Sequence, residues 1–192
     1  MKLSAIILAA GYSRRFGSNK LLALYHGMPL LHHVISQCHA SLVDELLVVY
    51  RDPQVLDVVQ KFPVRPLYNG NAHEGMSASV KLGVSNISTC ASGCMIVMGD
   101  QPLFLTSDFN RLIHAFKKNP IIVAASTDGK RSTPVIFPKK YFEELLNSTG
   151  DAGGRHIIER EPSLFVPYPP SKIWDVDTWD DIEVIQQSNK EE

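Results

Sequence analysis

The chain lacks an excess of charge of either sign. Its 192 residues carry 19 Lys and Arg against 20 Asp and Glu, a formal net charge of -1. A field that weak gives no general attraction for nucleic acid, so any bound anion must be drawn by a local cluster of cations. Cysteine is scarce as well, with only 3 residues, Cys38, Cys90 and Cys94. An odd number excludes a fully paired disulfide framework and suits a reducing compartment, so the expected location is the cytoplasm. No long hydrophobic run occurs. The apolar stretch from Leu3 to Ala10 is too short to span a bilayer and ends in glycine and arginines, so neither export nor a membrane partner is expected. Internal repeats and low-complexity segments are absent too.

What is present is ordinary globular composition, 44% hydrophobic and 20% charged. That length supports one sizeable core, so residues 1–187 are expected to form a single domain, with 188–192 as a frayed tail. Short runs rich in Ile and Val recur at "AIIL", "ELLVVY", "VRPLY", "CMIVMGD", "PIIVAAS" and "PVIF", bounded by Gly, Pro, Asp or Asn. Such runs are typical of buried parallel strands. Helical spacing appears between them in "PLLHHVISQCHA" and "PQVLDVVQKF", with Pro29 and Pro53 at first-turn positions. Further helices are expected from about Met76, near Ser107 to Lys118, near Lys139 to Asn147, near Ala152 to Arg160, and after Asp177. Strands alternating with helices imply crossover units. The expected fold is therefore α/β, a Rossmann-like three-layer sandwich with a mostly parallel central sheet.

The loop "LAAGYSRRFGSNK", Leu8 to Lys20, follows the first strand directly. In an open parallel sheet ligands sit beyond the carboxyl ends of the strands, so its position favours a binding role. Gly11 and Gly17 permit backbone conformations that turn amide N–H groups toward an anion, while Arg14, Arg15 and Lys20 supply positive charge. Five residues separate the glycines and no Lys directly follows Gly17, which excludes both G-x-G-x-x-G and the P-loop. A plain glycine loop with solvated arginines is the alternative reading. Being adjacent, Arg14 and Arg15 are not both expected to point inward.

Asp100 ends the apolar strand in "MIVMGDQP" and faces the same crevice. It suits Mg²⁺, which bridges phosphate oxygens, but a turn-forming Asp would look the same. In "WDVDTWDDIE", Asp177 or Thr178 can cap the last helix, with Asp180 and Asp181 in its first turn. If Asp177 lies beside Asp100 instead, the pair repels by roughly 4 kcal/mol at about 4 Å and calls for a cation. The stretch "YNGNAHEGMSASVKLGV" is a polar loop entering a helix, where Asn69, Gly75, Ser77 and Ser79 are candidates to hydrogen-bond a base or phosphate. Ser77 reads equally well as a helix cap. His32 and His33 lie on an amphipathic helix, Cys90 and Cys94 lack the partners of a zinc set, and no Ser-His-Asp set can be assigned. Trp174 and Trp179 are expected to anchor the C-terminal segment.

Together these stretches resemble the MobA-like nucleotidyltransferase family, and within it the molybdenum cofactor cytidylyltransferases. The signature L-A-A-G-x-S-x-R-x-G-x-x-K is met by Leu8, Ala9, Ala10, Gly11, Ser13, Arg15, Gly17 and Lys20. Later motifs are "GMSASV", "GDQP", "GDAGGR" and "DVDT". The resemblance implies a fold of the nucleotide-diphospho-sugar transferase type. It also implies a triphosphate, CTP or another NTP, on the glycine loop with Arg15 and Lys20, and Mg²⁺ on Asp100 and Asp177. Ala10, where guanylyl-transferring relatives tend to carry Gly, implies CTP. Asp151 and Arg155 would lie on the acceptor side, near molybdopterin or molybdenum cofactor, and a molybdoenzyme client would follow. Two departures are Ser132 and Thr133, where relatives usually show Gly and then His or Asn, and Gly154 in place of a usual alanine. A sugar phosphate acceptor and a non-catalytic carrier of nucleotide or pterin are the competing readings.

Overall fold

The computed structural model describes residues 1–188. Strand β1 (Lys2–Ala9) leads through the glycine loop into a small hairpin, β2 (Leu24–Tyr25) and β3 (Met28–Pro29). Helix α1 (Leu30–His39), β4 (Glu45–Tyr50), α2 (Pro53–Val59), β5 (Arg65–Tyr68), α3 (Met76–Val84) and β6 (Ala91–Met98) follow. The second half adds α4 (Thr106–Lys118), β7 (Ile122–Thr127), β8 (Lys130–Pro138), α5 (Phe142–Asn147), α6 (Arg155–Arg160), β9 (Ser163–Pro167) and α7 (Trp179–Ser188).

Seven strands form one sheet in the order β5-β4-β1-β6-β8-β7-β9. Strand β1 pairs in parallel with β4 and β6, as does β5 with β4 and β9 with β7. Only β8 runs against its neighbours. Its reversal comes from the tight turn at Asp128 and Gly129, with φ of 50° and 73°, the paired left-handed geometry that suits a two-residue hairpin. Alternation along β1 divides the core into two faces. Ala5, Ile7 and Ala9 pack with Leu31 of α1, Val55 of α2 and Phe109 of α4. Ile6 and Leu8 pack with Val80 of α3, Leu145 of α5 and Ile157 of α6. These are the three layers that the pattern predicts.

Boundaries differ where glycine or a tighter turn intervenes. The helix expected from Lys139 starts as a 3-10 turn, Lys139–Tyr141, before α5. That expected from Ala152 starts at Arg155, because Gly153 and Gly154 take φ of 50° and 89°. Pro29 closes β3 and flanks α1, whereas Pro53 occupies the first turn of α2. Of the expected tail, Ser188 ends α7 and 189–192 lie outside the described residues. All three cysteines are free, Cys38 and Cys94 inside the core and Cys90 at the surface. No helix among the described residues is long and apolar enough to cross a membrane.

Helix α3 approaches β1 closely because residue 83 is glycine: a Cβ there would stand 2.5 Å from Cγ2 and 2.9 Å from Cδ1 of Ile6. Ile6 is fully buried and has no room to yield. In Gly83→Ala, a gain of about 1 kcal/mol in helix propensity opposes about 1–3 kcal/mol of overpacking. Urea unfolding is expected to show a net loss of up to about 2 kcal/mol.

Candidate active site

Beyond the carboxyl end of β1 lies a cleft of about 480 Å³, lined by Leu8, Ala10, Gly11, Ser13, Arg15 and Lys20 from the first strand and its loop. Gly75, Ser79 and Asp151 line the facing side, with Asp100 and Asp177 at one end. Ala9, Gly17, Asn69 and Ser77 stand outside its lining. Ala9 is packed in the core, and Gly17 takes φ of 77° in the turn. Ser13 adopts φ of 49°, and its hydroxyl accepts the Lys20 N–H at 3.3 Å. Asn19 accepts the Leu21 N–H at 3.1 Å and donates to Asp52 at 2.9 Å, so the end of the loop is tied to the start of α2. Arg14 lines the cleft as Arg15 does, although only one of the two was expected to, and it lies against the Tyr12 ring at 5.6 Å from its centroid, with Arg51 at 4.3 Å.

The three distant motifs meet on one ammonium group. Lys20 Nζ stands 2.6 Å from Asp100 Oδ2 and 2.8 Å from Asp177 Oδ1, and Arg15 Nη1 takes the other Asp177 oxygen at 2.7 Å. Burial by itself depresses the lysine, but the two carboxylates outweigh it and hold its pKa above the ordinary value. The hydrogen bond from Lys20, helped by the charges of Lys20 and Arg15, holds the Asp177 carboxyl below the usual range. Asp175 goes the other way: burial, with Asp100 nearby, pushes it up against a hydrogen bond from Gln101. No three His, Cys, Asp or Glu side chains converge as a metal cage among the described residues. Asp100 Oδ1 is nevertheless buried without a hydrogen-bond partner. A free carboxylate oxygen beside a cleft suits Mg²⁺, which is usually held by one or two carboxylates plus substrate phosphates.

The start of α3 is less open than the sequence suggests. Met76 N–H donates to Asp151 Oδ1 at 3.0 Å and Ser77 N–H to the Gly150 carbonyl at 2.9 Å. Those amides are therefore occupied by the "GDAGG" segment. Gly75 is required for this contact: its φ is 98°, and a Cβ would come within 2.7 Å of Asp151 Oδ1 and 2.8 Å of Gly150. Asn69, 4% exposed, accepts the Asn71 N–H at 2.9 Å and donates to Ser79 Oγ at 3.0 Å, which leaves the Ser79 proton for the cleft.

A second cavity of about 560 Å³ lies alongside and shares Met76, Met98, Asp100 and Asp177 with the first. Arg131, Ser132, Thr133, Arg155 and Asp175 supply its polar lining, Val135, Phe137 and Ile158 its apolar part. Arg155 thus faces the second cavity while Asp151 faces the first. Both Arg131 and Arg155 pair with Glu159, at 3.1 and 2.9 Å. Two cavities that meet at a pair of carboxylates can bring two substrates together at one point.

Residues 5–164 match the MobA-like NTP transferase domain. The chain belongs to this family. It is a nucleotidyltransferase with the nucleotide-diphospho-sugar transferase fold. Purine catabolism protein PucB of Bacillus subtilis (strain 168) is 26% identical over 167 residues, 82% of this chain and 80% of that one. A molybdenum cofactor guanylyltransferase of Shewanella sp. (strain MR-4) is 28% identical over 160 residues, 82% and 79% of the two chains. The bifunctional protein GlmU of Campylobacter hominis is 29% identical over 115 residues, 58% of this chain, and the chain spans 26% of its length. In fold, this MobA-like transferase is similar to Rv0371c of Mycobacterium tuberculosis H37Rv, with a TM-score of 0.85, 22% identity and coverage of 97% and 98%. The complex of Rv0371c with manganese superposes at a TM-score of 0.82, 21% identity and coverage of 98% and 100%.

Several structural roles escape the sequence reading. Gln101 and Thr133 bond to each other behind and beside the second cavity. Phe16 stacks on Trp179 with ring centroids 4.3 Å apart, which docks the glycine loop on α7. Asp181 accepts the N–H groups of Asp177 and Thr178 at 2.9 and 2.7 Å, the Thr178 hydroxyl at 2.8 Å and Trp174 Nε1–H at 3.2 Å. The spacing T-x-x-D signals that capping box, and the reach back to Asp177 comes with it. Asp181→Ala is expected to cost about 1–2 kcal/mol in urea unfolding. Although burial opposes it, these donors hold the Asp181 carboxyl below its usual range. A folded pKa below the unfolded one stabilises above the unfolded value and loses that stabilisation as pH falls through the folded value. The stability gap between wild type and Asp181→Asn should accordingly shrink below about pH 4.

Proposed function

We propose that the protein transfers CMP from CTP to the terminal phosphate of molybdopterin or molybdenum cofactor and releases pyrophosphate. The observation that carries this reading is the shared wall of the two cavities, with Asp100 and Asp177 between a cationic glycine-loop cleft and a second, partly apolar one. The first would take the triphosphate and the second the acceptor. An acceptor phosphate oxygen bonds to the α-phosphorus of CTP as the bond to the β-phosphate oxygen breaks, so no enzyme-bound intermediate is required. The acceptor phosphate is already ionised, and no strong general base is needed.

Lys20 and Arg15 would leave their carboxylates for the phosphate oxygens of CTP and stabilise charge that builds on the departing pyrophosphate. Asp100 and Asp177 would then be free to hold Mg²⁺, which supplies charge neutralisation at the α-phosphate. Ala10, 6% exposed at the cleft wall, stands where guanylyl-transferring relatives tend to carry Gly, and that resemblance is what favours CTP here. A molybdoenzyme client for the product is part of the same proposal.

The test is to incubate the protein with Mg²⁺, molybdopterin and each NTP in turn and measure pyrophosphate. CTP is expected to give release, and Asp100→Ala to lower it at least about 100-fold, the scale of losing one electrostatic contact to the transition state. Release only with GTP overturns the nucleotide assignment, and release only with a sugar phosphate overturns the acceptor. If Ala10 governs base choice, Ala10→Gly shifts the CTP to GTP ratio of kcat/KM toward GTP by about tenfold.

A further inference from the structure

Thr133 is out of step with its sheet. Along β7 and β8 the pairing runs Val123 with Ile136 and Ala124 with Val135, then resumes with Ala125 opposite Ser132. Thr133 and Pro134 are skipped, and an irregularity of this kind re-aims a side chain. The Thr133 hydroxyl meets Gln101 Oε1 at 3.0 Å. Gln101 directly follows Asp100, is 2% exposed, and donates from Nε2 to Asp175 Oδ1 at 2.9 Å. Thr133 and Asp175 both line the second cavity, and Gln101 lies behind them. One residue back along the chain, the Asp100 carbonyl accepts the Val176 N–H at 3.0 Å, so the same pair of residues holds the segment that carries Asp177.

The direction of each bond follows from the chemistry of the groups. Gln101 turns its NH₂ group to Asp175 Oδ1 and so has only its carbonyl left for Thr133. Its carbonyl then faces Thr133, whose hydroxyl must commit its single proton there. Only lone pairs of the Thr133 oxygen remain for the cavity. At Thr133, beside Asp100 and Asp177, the wall therefore accepts a hydrogen bond rather than donating one.

We infer that Thr133 selects the acceptor substrate by requiring an N–H or O–H donor next to the group that receives the nucleotide, with Gln101 as the positioning residue that keeps the Thr133 proton engaged. The inference rests on the second cavity being the acceptor side, as proposed above. A molecule that offers only lone pairs here sets acceptor against acceptor, and sites built around hydrogen bonds discriminate strongly against analogues that cannot complete them. Arg131 and Arg155 serve the same cavity with opposite chemistry, as donors for anionic groups.

Pyrophosphate release is measured with Mg²⁺, CTP and molybdopterin for wild type, Thr133→Val, Thr133→Ser, Gln101→Met and the Thr133→Val/Gln101→Met double variant. Thr133→Val and Gln101→Met should each raise the KM for molybdopterin about tenfold while the KM for CTP moves by less than about twofold. Thr133→Ser, which keeps the hydroxyl, should restore the molybdopterin KM. The double variant should be no worse than Gln101→Met alone, because both act through one hydrogen-bond chain. An unchanged molybdopterin KM in Thr133→Val, or both KM values rising together, overturns this inference and leaves the proposed function standing. Absence of turnover in the wild type overturns the proposed function and this inference with it.

Discussion

Lys20 joins three stretches that are far apart in the chain: its own glycine loop, Asp100 just beyond β6, and Asp177 just ahead of α7. Two carboxylates at such range repel each other unless a cation stands between them, and removing one member of a poorly solvated cluster leaves the others uncompensated. The loop, the strand end and the helix start therefore depend on one another for their positions. Arg15 adds a more exposed contact to Asp177, where solvent screens it, so the Lys20 contacts dominate. The same charges that meet in the crevice are of the right sign for a triphosphate and its metal ion. Binding needs an exchange of partners rather than the creation of new charge.

An apolar counterpart supports this ionic junction from behind. Phe16 of the glycine loop, Tyr25 of the small hairpin, Val176, Ile182 and Ile185 form one buried cluster that is separate from the two faces of the sheet. It brings the first and last parts of the chain together before any charge is considered. Asp181 then fixes the backbone of the segment between Trp174 and α7. Position comes from packing and capping, and the carboxylates of Asp100 and Asp177 inherit it.

Much of this was legible in the sequence. The Ile- and Val-rich runs and the helical spacing of Leu31, Val34 and Ile35 indicate the layers, because burial on both sheet faces demands continuous apolar strands. The placement of "AAGYSRRFGSNK" after β1 indicates the crevice, since strand ends in an open sheet converge there. The meeting of Lys20 with Asp177 was harder to read, for it depends on tertiary packing of residues 157 positions apart. The occupied amides of Met76 and Ser77 were not legible at all. A free helix start and one held by a distant "GDAGG" segment have the same local sequence. Gln101 is hidden for a related reason: a buried amide is recognisable only once both of its partners are known.

The reversed strand β8 has a consequence for how such a fold can diversify. Running against its neighbours, β8 brings its beginning, not its end, to the crevice, so Arg131, Ser132 and Thr133 reach the second cavity directly after the turn at Asp128 and Gly129. The turn is an exposed tip joined to the sheet by only two strands. Changes of length or composition there would reshape one jaw of the crevice while the glycine loop, on the far side of β6, stays as it is. If the second cavity takes the acceptor, as proposed, donor and acceptor recognition would rest on separable parts of the chain, and one could be exchanged without rebuilding the other.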